Sequence, residues 1–101
     1  MKKSVKSEKA LKSIHEIHND LLGNDSLSCM FAVRYCVLNM IVDKETIDIL
    51  IKLKRSPLIE WNSCKISNCA LAALQLLEIE PYNGEDEQVL ELIETVFYTI
   101  V

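Results

Sequence analysis

Two stretches of this chain share one pattern of small and apolar residues. Residues 32–41 read Ala-Val-Arg-Tyr-Cys-Val-Leu-Asn-Met-Ile, and an acidic turn separates them from residues 47–53, Ile-Asp-Ile-Leu-Ile-Lys-Leu. Residues 69–77 read Cys-Ala-Leu-Ala-Ala-Leu-Gln-Leu-Leu, and a second acidic turn separates them from residues 89–93, Val-Leu-Glu-Leu-Ile. A pair of apolar helices that occurs twice is typical of helical-repeat architecture.

The composition fits a single helical domain. The chain has 101 residues, of which 50% are hydrophobic and 26% charged, with only 2 Gly and 2 Pro. Such a chain has enough apolar residues to bury a core and too many to be disordered. The scarcity of Gly and Pro disfavours a turn-rich β-sandwich and suits long helices joined by few loops.

The sequence contains neither a membrane span nor a leader that we recognise. No run approaches the roughly 18–20 apolar residues that cross a bilayer. The N-terminal lysines are not followed by an apolar stretch and a cleavage site, as in a secretory signal. We therefore expect a cytoplasmic protein without a membrane partner, whose four cysteines remain thiols. None of them forms a Cys-x-x-Cys motif; they are Cys29, Cys36, Cys64 and Cys69.

Apolar spacings of three and four residues predict five helices. They cover about residues 5–22, 27–42, 44–54, 66–78 and 85–99. Gly23 ends the first helix, and Asn24, Asp25 and Ser26 offer cap residues for the second. Asp43 can cap the third helix, and Pro57 ends it. The β-branched tail, residues 96–101, also fits a strand, but the spacing that begins at Val89 favours a helix.

The two helix pairs can be aligned on their apolar positions. An offset of 36 places Leu38 on Leu74, and an offset of 42 places Leu50 on Leu92. The difference falls in the turn at residues 80–85, where a repeat protein tolerates insertion. The lysine-rich first helix then has no counterpart, and we expect it to cap the open end.

The aligned residues resemble the HEAT-repeat family, and within it the short bacterial HEAT-like proteins. The resemblance covers residues 25 to about 97 and rests on these positions: Asp25, 32–34, Leu38, 43–45, 47–51, 70–74 and Leu77. It implies an all-α fold over residues 1–101, a short α–α superhelix of about five helices. Two HEAT-like hairpins, at about 26–54 and 66–98, would follow an N-terminal capping helix. A plain five-helix bundle fits the same pattern.

Charge is distributed unevenly along the chain. Residues 1–12 hold five lysines and one glutamate, whereas residues 78–101 hold seven acidic residues and no Lys or Arg. An acidic end attracts basic partners and repels nucleic acid. Alternatively, Glu85, Asp86 and Glu87 open a helix, where carboxylates suit the positive end of the helix dipole. That alternative explains these three acids better than it explains Glu91 and Glu94.

The sequence offers little for catalysis or metal binding. His15 and His18 can share a helix face, but no third ligand accompanies them, so we expect solvated surface histidines and no metal site. The two glycines are isolated and form no phosphate-binding loop, and no motif pairs a cysteine with a histidine. We predict no catalytic residue, no cofactor and no enzyme. Aromatic residues make up only 6% and no basic stripe is present, which argues against nucleic acid.

Trp61 is the chain's single tryptophan and lies in the irregular connection at residues 55–65. It can seal the groove between the repeats, or it can form an exposed anchor with Leu58 and Arg55.

Protein binding is the function that these patterns favour. Our hypothesis is an immunity protein that neutralises a cognate bacterial toxin by steric and electrostatic blockade. Trp61 or Tyr82 would anchor a basic toxin domain, and acidic residues would steer it: Glu85, Asp86, Glu87, Glu91 and Glu94. The alternatives are an adaptor that holds a peptide or helix in the inter-repeat groove, and a small metal-binding protein or enzyme subunit. Phe97, Tyr98 and Ile100 leave a homodimer open.

Overall fold

The fold is all-α, as the sequence predicts. The computed structural model describes residues 13–59 and 63–97, which form five helices and no β-strand. The helices are α1 (Ile14–Leu22), α2 (Ser26–Leu38), α3 (Lys44–Leu53), α4 (Ile66–Leu76) and α5 (Glu87–Thr95). Ile59 and Lys65 form an isolated antiparallel bridge that closes the connection before α4. Within the described ranges, no helix is long and apolar enough to cross a membrane.

Side-chain caps start four of the five helices. Ser13 and Glu16 form a reciprocal capping box on α1. Aspartates cap the other three, as their positions in the sequence predict for α2 and α3: Asp25 on α2, Asp43 on α3 and Asp86 on α5. Each cap satisfies a backbone N–H group that has no partner within its helix. Lys65 provides no such bond for α4.

Three helices end earlier than predicted because the chain turns into the left-handed region without glycine. The residues that adopt positive φ are Met40 (51°) after α2, Glu78 (62°) after α4 and Val96 (54°) after α5. In each case the next N–H group bonds to a carbonyl five residues back, which is the Schellman arrangement. The donor and acceptor pairs are Ile41 to Cys36 (2.9 Å), Ile79 to Leu74 (2.9 Å) and Phe97 to Leu92 (3.0 Å).

These helix ends correct the predicted boundaries. The helices expected to reach 42, 78 and 99 stop at Leu38, Leu76 and Thr95. The described part of the tail is a turn rather than a helix or strand, and residues 98–101 lie outside the described ranges. Residues 5–12 of the predicted first helix also lie outside them.

The centre of the molecule is α4. It packs closely against α2, α3 and α5, whereas α1 packs on α2 and α3. Three alanines of α4 are fully buried and let neighbouring backbones approach: Ala70, Ala72 and Ala73. The second predicted pair, α4 and α5, packs directly. The helices of the first pair, α2 and α3, are not a closely packed pair, and α1 and α4 each contact both of them.

Residues that the predicted alignment places on each other differ in burial. Leu38 is 46% exposed, whereas Leu74, on which it was placed, is 1% exposed. The helix ends coincide at an offset of 38, which places Met40 on Glu78. Leu92 is 2% exposed and belongs to the core.

The left-handed residue after α2 gives a test of this backbone. Met40 is 58% exposed, so replacing it removes little burial. We expect Met40→Gly to raise the free energy of unfolding by up to about 1 kcal/mol, because glycine has no Cβ to strain at positive φ. Lys52→Gly, an exposed position inside α3, should instead lower it by about 1 kcal/mol. Urea unfolding measures both, and a lower midpoint for Met40→Gly would contradict the assigned helix end.

Candidate partner-binding face on the C-terminal helix

The outer face of α5 carries an acidic row with one leucine in it. Glu87, Leu90, Glu91 and Glu94 are all exposed and follow helical spacing, while Val89 and Leu92 are buried on the opposite side. Leu90 is 46% exposed. The row therefore combines negative charge with an apolar centre, and we call these four residues the α5 face.

Two carboxylates of the α5 face have no structural use among the described residues. Within residues 13–59 and 63–97, Glu91 and Glu94 form no side-chain hydrogen bond or ion pair. Asp86, in contrast, accepts a 2.8 Å bond from the Gln88 N–H group as the helix cap. Glu80 lies 2.8 Å from the Lys54 ammonium. Capping thus explains Asp86 but leaves Glu91 and Glu94 unexplained.

The position of Glu94 is unfavourable for the stability of α5. It lies in the last turn, which contains no basic residue. A negative charge at the negative end of a helix dipole costs about 0.3–1 kcal/mol at an exposed site. Glu94 therefore weakens the helix that carries it.

Tyr82 supports the turn before α5. Its side chain is half-buried and packs against the core. Its hydroxyl accepts a 3.0 Å bond from the Asp86 N–H group, and its own N–H group donates to Gln75 at 2.6 Å. Tyr82 therefore braces this turn, and its role as an anchor for a partner stays a prediction.

Gly84 is required by the same turn. A Cβ atom added there would lie 2.6 Å from Cζ of Tyr82, which is closer than real contacts allow. Its φ angle is not positive, so the requirement comes from the tyrosine ring and not from the backbone conformation.

The turn can be tested by adding that methyl group. We expect Gly84→Ala to lower the free energy of unfolding by about 1–3 kcal/mol, because the ring must move. In the Tyr82→Ala background the same substitution should cost much less, since the obstacle is gone. Gly23→Ala is the control. Its added Cβ would lie 3.1 Å from a backbone oxygen and not near Tyr82, so its cost should be the same in both backgrounds. Equal costs with and without the tyrosine would show that the ring is not the cause.

Gln88 fixes α5 to the connection before α4. Its Oε1 accepts bonds from the Lys65 N–H group (3.0 Å) and from Asn68 Nδ2 (2.9 Å), and its Nε2 donates to the Ser63 carbonyl (3.2 Å). These bonds join positions 20 to 25 residues apart. We did not predict this role, because nothing in the sequence around Gln88 distinguishes it from a surface residue.

Trp61 lies outside the described residues, so its role stays a prediction. The chain on either side is tied down, since the Ile66 N–H group donates to the Leu58 carbonyl at 3.1 Å. Leu58 packs against the core and Ile59 is exposed. The remaining predicted site residue, Glu85, is exposed just before the Asp86 cap.

The prediction of two surface histidines is wrong for His18. His15 is exposed, but His18 is buried between α1 and α3. Its Nε2 lies 2.8 Å from the Thr46 hydroxyl oxygen. That hydroxyl donates its only proton to Asp43 at 2.7 Å, so the bond from His18 must be donated by Nε2. The sequence could not show this contact, because Thr46 lies 28 positions away.

The His18–Thr46–Asp43 chain is structural. Thr46 is fully buried, so no substrate can reach its hydroxyl. In residues 13–59 and 63–97, no three His, Cys, Asp or Glu side chains converge as metal ligands. Burial acts to raise the pKa of Asp43, but the hydrogen bonds from the Thr46 side chain and backbone outweigh it, and nearby His18 adds to them. The pKa of Asp43 is therefore lowered.

This lowered pKa predicts a loss of stability in acid. A carboxyl whose pKa is lower in the folded state stabilises the protein above its ordinary pKa, 3.8 for this group, and loses that contribution as pH falls towards the folded value. Asp43→Ala should cost about 1–2 kcal/mol at pH 7 and less near pH 2. Asp48→Ala, on the exposed side of α3, should cost under about 0.5 kcal/mol. Urea unfolding of both variants between pH 7 and about pH 2 measures these costs. A cost of Asp43→Ala that is equal at all pH values would contradict the lowered pKa of Asp43.

A groove opens between the C-terminal ends of α1 and α3. It measures about 270 Å³, and its walls include Leu22, Leu53, Pro57 and Leu58, with Lys52 at the edge. The prediction placed a binding groove between the two repeats, whereas this one lies beside the capping helix.

Phe97 does not contribute to an outer surface. It is fully buried against the core, so the dimer contact that the sequence left open is not available from this residue. Tyr98 and Ile100 lie outside the described residues.

Comparisons with known proteins leave the family open. No family model matches the chain, and neither a curated protein nor a solved structure matches it. The resemblance to HEAT repeats stays a prediction.

Proposed function

We propose that this chain is a non-enzymatic helical module that binds a basic protein through the α5 face. The supporting observation is a pair of carboxylates, Glu91 and Glu94, which have no partner among residues 13–59 and 63–97 and lie beside the exposed side chain of Leu90. Charges at the edge of such a surface accelerate association with an oppositely charged partner, and the apolar centre contributes affinity.

Within this class, we propose an immunity protein that acts in the bacterial cytoplasm on a cognate toxin. Many toxins that attack nucleic acid carry a basic cleft, and an acidic helix would fit it by charge. The mechanism is steric blockade, with α5 covering the cleft. The net charge of −4 is in keeping with this role.

An adaptor that binds a peptide is the second candidate, and the groove between α1 and α3 supports it. The exposed Leu22 and half-buried Leu58 would receive an apolar side chain of the peptide. A metal-binding role has less support, because His18 is already bonded to Thr46.

Charge reversal distinguishes the two surfaces. With a partner identified by pull-down, we expect Glu91→Lys with Glu94→Lys to weaken binding by about ten-fold or more. Raising salt from about 0.05 to about 0.5 M should weaken the wild-type complex and have less effect on the variant. Titration calorimetry measures the affinities, and circular dichroism confirms that each variant is folded.

The matched control reverses two exposed acids on α3, Glu45→Lys with Asp48→Lys, which changes the net charge equally. Binding by this control should fall by less than about three-fold. Equal losses in both variants would show that only net charge matters and would overturn the assigned face. Loss of binding on Leu22→Glu, with no change in the α5 variant, would favour the adaptor.

A further inference from the structure

Two cysteines meet at the start of α4. The sulfur atoms of Cys64 and Cys69 lie 3.4 Å apart, and the two residues are 4% and 0% exposed. Lys65 is the N-cap of α4, so Cys64 precedes the cap and Cys69 is the fourth helical residue. These positions are the ones that form a hydrophobic staple, in which two apolar side chains fix the entry of the chain into a helix.

Cys29 and Cys36 are buried as well. Burial, with the charge of Asp20, raises the pKa of Cys29 to about 11, and burial, with the charge of Asp43, raises that of Cys36 to about 12. The Cys29 thiol also donates to the Leu21 carbonyl at 3.5 Å. Both therefore stay protonated and unreactive at neutral pH.

We propose that Cys64 and Cys69 are a site of reversible modification, a dithiol that a hydroperoxide converts to a disulfide within the chain. Bond formation requires the sulfurs to approach from 3.4 Å to about 2.05 Å. The contact between the two sulfur atoms at the start of α4 would then become a covalent bond.

The reaction balances with the peroxide as oxidant. The Cys64 thiolate attacks one peroxide oxygen, the O–O bond breaks, and the departing hydroxide takes a proton to become water. The sulfenic acid on Cys64 is then attacked by the Cys69 sulfur, the S–O bond breaks, and a second water leaves. Two thiols lose two electrons and two protons, and hydrogen peroxide is reduced to two waters. Cys64 reacts first because it alone of the pair retains any exposure.

The surroundings favour a bond within the chain over one between chains. Gln88 of α5 holds the residues on either side of Cys64, the carbonyl of Ser63 and the N–H group of Lys65. The cysteine between them is thus kept beside Cys69.

The positions of lysine and arginine make the test direct. Trypsin places each cysteine on a different peptide, 13–34, 35–44, 56–65 and 66–101, because cleavage after Lys65 separates Cys64 from Cys69. The full native chain is treated with a small excess of hydrogen peroxide, remaining thiols are alkylated, and the digest is analysed by mass spectrometry without reduction. We expect a disulfide-linked pair of peptides 56–65 and 66–101, lighter by two hydrogens than the separate peptides and split by dithiothreitol.

Variants provide the controls. Cys29→Ser and Cys36→Ser should keep the linked pair, and Cys64→Ser or Cys69→Ser should lose it. Because the peptide map of the unchanged protein is the primary readout, the proposal does not depend on whether these buried variants fold. A link to peptide 13–34 or 35–44, a link between two chains, or oxidation of Cys64 without a link would overturn it.

Discussion

The fold depends on how closely neighbouring helices can approach α4. Its buried alanines present only methyl groups, so α2, α3 and α5 can each pack against this one helix. A larger side chain at these positions would push a neighbour away and open gaps elsewhere in the core, because protein interiors are packed without spare volume. The first two helices of the repeated pattern do not pack closely on each other. They are joined through α1 and α4, so α1 is part of the core.

This arrangement leaves α5 attached on one side. Among the described helices it packs closely on α4 alone. Two features strengthen the attachment: the three bonds of Gln88 and the burial of Phe97 just after the helix. A helix with a single closely packed neighbour exposes much of its surface. The α5 face is therefore accessible because of how the helices are arranged. That arrangement does not require the face to be acidic. Glu94 even opposes the helix dipole.

Local patterns in the sequence predicted what depends on near neighbours. The order of the helices follows from apolar spacing, the caps at Asp25 and Asp43 follow from residue type, and the exposure of Glu91 and Glu94 follows from their place on a helix whose other side is Val89 and Leu92. Helix ends were less predictable. Met40, Glu78 and Val96 adopt a left-handed conformation, which in most helix ends is occupied by glycine. Contacts between distant positions could not be predicted. The bond of His18 to Thr46, the bracing role of Tyr82 and the three bonds of Gln88 all depend on how the helices come together.

The one-sided attachment of α5 has a consequence for local unfolding. A terminal element with one packed neighbour can detach as a unit while the rest of the molecule stays folded, and its amide hydrogens then exchange faster than those of the interior. Detachment would uncover the side of α4 that α5 covers. A protein that grips α5 would suppress this opening, so slower hydrogen exchange should extend from α5 into α4, beyond any surface that the bound molecule touches.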